Sequence, residues 1–411
     1  MKNRFPAVYQ RSFFKALALL LLALSGASSP EADAAPLRVY ILCGQSNMQG
    51  HARTTTFEHI GMDPATAPLL DAMTDGEGNP RVCERVWISY LSQDREKTGK
   101  LTAGFGADDD KIGPEFTFGL TLEQNLPEPI LLIKTAWGGK SLHTDFRPPS
   151  AGPYVFSEQQ LENLQERGKD LATFREEKRR ATGHYYRLTI EHVKEVLADL
   201  GAVVPGHDPD QGYELAGFVW FQGWNDMVDS GVYPNRDKPG GYAAYSEVMG
   251  HFIRDVRQDL DAPGLPFVIG VMGVGGPVSE YGPDRQRYAS THQNFRDAMA
   301  APALRPEFRG NVFPVLTETY WDRQLQDLTA RDDRIKRTAR QITQAKEKPQ
   351  QATAEILAQL RAEEFSAEER EILSSAISNQ AYHYLGAGKI MAQIGRAFAE
   401  PLLESGRNPS R

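Results

Sequence analysis

The sequence predicts an α/β fold with a central parallel sheet covered by helices on both faces. Two observations predict it. First, six apolar runs, "LRVYILC", "RVWISYL", "PILLIKTAW", "LAGFVWFQ", "PFVIGVMGV" and "NVFPVLT", are rich in Val, Ile, Leu and Phe. Several lack the polar alternation of a strand with one wet face, which marks strands buried on both sides. Second, segments with helical spacing stand between these runs, and alternating strands and helices build a layered parallel sheet.

Each intervening helix has its own signals. "GPEFTFGLTLEQN" has Pro114 in its first turn with Glu115 beside it, where a fixed φ and a negative charge both favour a helix start. "YYRLTIEHVKEVLADLG" carries apolar residues at helical spacing and meets a stop at Gly201. "YAAYSEVMGHFIRDVRQDL" repeats the spacing. Residues Phe156 to Lys178 are charged and helix-prone. The stretch at about 322–378 is rich in Ala, Glu, Gln, Lys and Arg and has no strand signal. It predicts two or three exposed helices, broken near Pro349, as a helical insertion on a single domain. No heptad persists there, and no internal repeat is visible.

The chain has 411 residues, with 40% hydrophobic and 24% charged, enough for one large core. A net charge of −8 without a long basic run argues against a nucleic-acid partner. The N-terminus reads separately. Lys2, Arg4, Arg11 and Lys15 precede the apolar "ALALLLLALSGASSP", and Ala32 and Ala34 form an A-x-A site. This pattern is a secretory signal peptide over residues 1–34, leaving a domain over 35–411. The apolar middle is shorter than the roughly 20 residues of a membrane span. Cleavage takes away four basic and two acidic residues and moves the charge to −10. The expected location is secreted or periplasmic, with no integral membrane anchor after cleavage. Cys43 and Cys83 are too few for a disulfide framework, and Cys43 lies within an apolar run as a buried thiol.

Sites in parallel α/β sheets gather at the carboxyl ends of the strands. After the first run come Gly44, Gln45, Ser46 and Asn47. After "PILLIKTAW" come Gly138 and Gly139. After "LAGFVWFQ" come Gly223, Trp224, Asn225 and Asp226, and "NQAYHYLGAGK" brings His383 before the last helix. Acyl transfer needs a nucleophile, a base and donors for a developing oxyanion. Ser46 suits the first role and His383 the second. The Ser46 N–H, a glycine N–H at Gly138 or Gly139, and the Asn225 side chain suit the third. Gln45 and Gln222 could also reach a substrate. Each feature alone has a plain reading as a turn, a bend or a packed histidine; only the ordered combination argues for a site. His51, His59, His143, His184 and His251 show no metal-ligand spacing. "GVMGVGG" lacks a P-loop lysine and reads as a strand end.

The order of these motifs resembles the SGNH hydrolase superfamily. "GQSNM", "GPEF", "TAWGGKSL" and "VWFQGWND" resemble more narrowly its sialate O-acetylesterase and family-six carbohydrate esterase branch. The resemblance covers roughly Leu37 to Glu400 apart from the helical insertion. It implies a flavodoxin-like three-layer α/β/α sandwich and a serine esterase without metal or cofactor that removes acetyl groups from polysaccharides or sialic acid. It implies Ser46 as nucleophile, His383 as base, and Gly138 or Gly139 with Asn225 as the oxyanion hole. Two departures concern the acid behind the base. The superfamily's Asp three residues before the histidine is Gln380 here, and the branch's Glu after the fourth strand is Trp224. Asp226 is the candidate acid and Glu318, in "VLTETYWD", the alternative. A loop cap at Asp226, or a dyad oriented by a neutral amide such as Gln380, stays open. So do two other functions: a carbohydrate-binding protein that has lost activity, and an esterase for non-sugar esters.

Overall fold

The computed structural model describes residues 35–93, 96–345 and 350–407. The expected signal segment and the expected break at Pro349 lie outside these residues. The strands are β1 (Leu37–Gly44), β2 (Ala52–Arg53), β3 (Val86–Leu91), β4 (Glu96–Lys100), β5 (Lys111–Ile112), β6 (Ile130–Ala136), β7 (Tyr213–Phe221), β8 (Phe267–Val271) and β9 (Val312–Leu316). All six apolar runs enter one seven-stranded sheet of order β4-β3-β6-β1-β7-β8-β9, while β2 and β5 form a separate ribbon. Within the large sheet only β4 is antiparallel, pairing with β3 at the edge. Its sequence, "EKTGK", has no apolar face to betray a strand, and its lysines suit an unprotected edge.

Strand β1 lies at the centre between β6 and β7, parallel to both. A strict flavodoxin order would set the second parallel strand beside the first. Here the third, β6, takes that place, and the chain from β6 to β7 passes across β1. The carboxyl ends of β6, β1 and β7 therefore flank the crevice where the strand order reverses.

Side chains alternate along β7 and so divide the two helical layers. Phe218 and Trp220 meet Phe252 of helix Ala243–Asp259, with ring centroids 5.8 and 4.5 Å apart. Phe221 points the other way and meets Phe398 of helix Gly388–Arg407 at 5.2 Å. Helix Glu115–Asn125 lies in that second layer, with Thr117 Oγ1 donating to Ala392 O at 2.8 Å. Helix His184–Ala198 stops before Gly201, because Asp199 leaves helical geometry and its side chain caps the next short turn. The result is a three-layer α/β/α sandwich.

The charged stretch at 322–378 contains helices Arg323–Ala345, Gln350–Glu364 and Ala367–Ser375. They are not merely exposed rods: Leu325, Leu328, Ile335 and Ile372 are buried. Arg331 pairs with Glu364 and Glu369, and Arg361 with Asp332, which lace the three together. Cys43 and Cys83 are buried free thiols.

Candidate active site

Strand β1 leaves the sheet at Gly44 because only glycine fits there. A Cβ would lie 2.2 Å from Phe221 O, at the end of β7. That close approach lets Gln45 N donate to Phe221 O at 3.2 Å and Trp137 N to Gly44 O at 3.2 Å. Three strand ends are thus drawn to one point. Ser46 then opens the short helix Ser46–Gln49, where the first N–H groups have no intrahelical acceptor. Gly138 lies alongside, since a Cβ on it would sit 3.9 Å from Ser46 Cβ, whereas Gly139 at φ +71 borders open space. Gly138 is therefore the glycine next to the serine.

Beneath this turn lies Lys134 of β6. With Glu115 it forms an ion pair at 2.7 Å in which both side chains are wholly buried. Lys134 Nζ also donates to Gln49 O at 2.9 Å and Phe105 O at 2.7 Å, and lies 4.4 Å from the Tyr90 ring centre. Glu115 in turn accepts the Gly113 N–H at 2.8 Å. The last residue of the serine's helix is thereby pinned to the sheet.

Two amides define one another's orientation. The Gly223 N–H can only donate, and it meets Gln45 Oε1 at 3.0 Å. Gln45 Nε2 must then face outward, and it donates to Asn225 Oδ1 at 3.1 Å, with Ser46 Oγ at 3.5 Å. Asn225 is left with its Nδ2 donor pair free among the described residues. Gln45 is 1% exposed and both ends of its amide are engaged within the fold, which suits a residue that positions Asn225. Gln222 is likewise spent, donating to Lys140 O and Asp226 Oδ2 and accepting from Tyr245 OH.

His383 lies in the turn Ala381–Gly386, packed against the serine's helix. Its Nδ1 is 3.0 Å from Asn379 Oδ1, and that oxygen also accepts the Gln380 N–H at 2.8 Å. An obligatory backbone donor fixes the atom as oxygen, so Nδ1 carries the proton and Nε2 is the free base. Tyr384, Leu385 and Gly386 follow at φ +52, +62 and +58. Two consecutive non-glycine residues in the left-handed region are strained, a feature concentrated at functional sites. Tyr384 holds the strain, its buried hydroxyl accepting the Gly273 N–H at 2.8 Å and meeting Thr317 Oγ1 at 2.6 Å. Among the described residues no hydrogen bond joins Ser46 Oγ to His383; such contacts commonly tighten only when substrate binds.

Neither expected acid stands behind His383. Asp226 is completely buried and accepts Leu142 N at 2.7 Å, His143 N at 3.0 Å, Gln222 Nε2 at 2.6 Å and Tyr233 OH at 3.1 Å. Burial pushes its carboxyl up to about 6. Its four donors make it the anchor of the loop after Gly138–Gly139, close to the loop-cap alternative. Glu318 forms an ion pair with Arg296. The partner of Nδ1 is a neutral amide, but it is Asn379, not Gln380.

Two further neighbours had no sequence signal. The His51 ring stacks on His383, and Tyr382 meets His383 edge-on at 4.5 Å and Trp224 at 5.6 Å. Tyr382 is 41% exposed. The loop at 141–156 divides in two. Phe146 is core, 5.1 Å from Trp220, whereas Tyr154 and Phe156 are half-buried and line an open pocket of about 250 Å³ with Phe174, Lys178 and Asp229.

The family model for carbohydrate esterases described as sialic acid-specific acetylesterases matches residues 36–302. No curated protein matches the chain. Among solved structures, the chain is similar to an Arabidopsis thaliana protein at 19% identity, over 69% of this chain and 86% of that one, with a TM-score of 0.36. It is also similar to a carbohydrate acetylesterase from Xanthomonas citri, at 13% identity over 67% of this chain and 49% of that one (TM-score 0.35). A third is NanS, at 15% identity over 68% and 78% (TM-score 0.35). The family match takes in the serine turn, Gly138 and Asn225, though not His383, and by it the chain belongs to the sialic acid-specific acetylesterase family of carbohydrate esterases.

Proposed function

We propose that the protein is a secreted serine esterase that removes O-acetyl groups from sugars through an acetyl-enzyme. Ser46 Oγ attacks the acetyl carbonyl while His383 Nε2 takes its proton. The carbonyl oxygen becomes an oxyanion and meets the N–H groups of Ser46 and Gly138 and the Nδ2 of Asn225. His383 then gives the proton to the departing sugar hydroxyl. Water, deprotonated by the same nitrogen, attacks the acetyl-enzyme and frees acetate. The observation that supports this reading is the convergence of strand ends that sets Gly138 beside Ser46, with the Gln45 amide tying Asn225 Oδ1 to the same turn and leaving the Asn225 Nδ2 donors uncommitted among the described residues. Each such donor contributes about 3–4 kcal/mol to the transition state.

Asn379 does part of an acid's work. Its oxygen holds the Nδ1–H tautomer, whose loss costs about 10⁴-fold in kcat in a serine protease. It supplies no negative charge to the imidazolium. The Trp224–Tyr382 pair beside the base offers aromatic faces for the C–H surface of a sugar ring.

The test is release of acetate by the purified protein from O-acetylated sialic acid and acetylated xylan, with a long-chain ester as control. Release from either sugar and little from the control is expected; hydrolysis confined to the control would assign the site to non-sugar esters. The amide in place of an acid also favours a second reading, a binder that has lost catalysis. Labelling of Ser46 by a fluorophosphonate is expected for the enzyme, and its failure would favour the binder.

Burial, with the Lys111 charge adding to it, lowers His383 from 6.5 to about 4. The cation is the disfavoured form, so the base stays competent as pH falls below 6.5 and is lost only near 4. The acid limb of kcat/KM on an activated acetate ester is expected to have its midpoint near pH 4. A midpoint at 6.5 would contradict it.

A further inference from the structure

We propose that His51 is a positioning residue for the base: its ring is a flat wall that fixes the plane of His383 and keeps water from that face. The inference rests on the esterase reading for its kinetic consequences, but its geometry stands apart from it. The two imidazoles lie with centroids 3.9 Å apart and planes 2° from parallel. His383 is thus clamped on three sides, by His51 on a face, by the Tyr382 ring, and by Asn379 at Nδ1.

The backbone keeps the wall in place. His51 follows the serine turn directly and leads into β2, while His383 arrives from the far end of the chain. Ser378 staples the two segments: its Oγ accepts the Arg53 N–H at 3.1 Å and donates to Gly386 O at 2.7 Å, with His51 O 3.3 Å away. The wall and the base therefore move together.

Chemistry explains a histidine that stays neutral here. His51 Nε2 is buried without a hydrogen-bond partner among the described residues, a setting that disfavours the charged ring. Burial first, then the His383 charge, then Lys111 and Lys134 disfavour a charge on His51, and Asp108 favours one, while Lys111 also acts on His383. Burial lowers His51 to about 3. When Ser46 gives its proton to His383, the neutral His51 ring leaves the new charge without a like-charged neighbour on that face. Two imidazoliums at this spacing would repel.

The test compares His51→Ala with His51→Phe against the unaltered protein. Three readouts apply: kcat and KM on an activated acetate ester, the acid limb of the pH profile, and the NMR titration of His383. His51→Ala is expected to lower kcat by about 10- to 100-fold, the penalty of a misplaced catalytic group, and to leave KM nearly unchanged. It should also raise the His383 midpoint toward 6.5 as water reaches the ring. His51→Phe keeps a stacked ring and is expected to recover most of kcat and the low midpoint. A His383 midpoint unmoved in His51→Ala, or equal losses in both variants, would overturn the proposal. Should the unaltered protein hydrolyse no acetyl ester, the esterase reading fails, while the titration still decides the role of His51.

Discussion

Ser46→Ala is expected to lower kcat on an activated acetate ester on the order of 10⁴- to 10⁶-fold, with the fold unchanged. Nucleophile, base and oxyanion donors act as a unit, so removing the attacking oxygen forfeits nearly everything except the donors' stabilisation of direct water attack. The substitution is structurally mild. Ser46 is 7% exposed, and among the described residues its hydroxyl has one long contact, Gln45 Nε2 at 3.5 Å. The Ser46 N–H and the Gln45–Asn225 relay survive in the alanine variant. An unchanged melting temperature with kcat near background is the expected pair of results; turnover within tenfold of the unaltered enzyme would remove Ser46 from the mechanism.

Lys134→Met is expected to destabilise the protein by about 3–5 kcal/mol, read as a lower urea midpoint. The lysine and Glu115 are both fully buried, so the variant strands a carboxylate where water cannot reach it. It also strips a donor from Gln49 O and Phe105 O. Adding Glu115→Leu to Lys134→Met should restore much of the loss, because an apolar pair in place of a buried ion pair is often neutral or better. A Lys134→Met protein as stable as the original would show that the pair does not hold the serine's helix to the sheet.

The parts of this architecture that were legible in the sequence are those set by burial and strand ends. β1, β6 and β7 announce themselves because strands covered on both faces leave continuous apolar runs, and a parallel sheet then says where a site must lie. Ser46, Gly138 and Asn225 followed from that rule. Asp226 shows its limit. It stands at the expected strand end, but it follows Asn225 on the helix Trp224–Val228, and adjacent helical residues point about 100° apart. Asn225 meets Gln45 while Asp226 faces elsewhere and takes the Leu142 and His143 N–H groups. Gln45 misled in a similar way: a polar residue beside a nucleophile suggests substrate, yet its amide is consumed by Gly223 and Asn225. Asn379 was hidden by spacing, lying four residues before His383 instead of three. His51 had no signal at all, since a ring contact between distant segments leaves no local pattern. β4 was invisible because a charged edge strand has no apolar period.

The staple at Ser378 has a consequence for when the proposed site is assembled. Its bond from Arg53 joins residues 325 positions apart. Contacts so distant in sequence form late in folding, after the entropy of closing the intervening loop has been overcome. On the proposed mechanism, a growing polypeptide carries Ser46 well before it carries His383, so the nucleophile waits for its base. Hydrolytic competence then arises only once the serine turn and the Ala381–Gly386 turn have been brought together by folding.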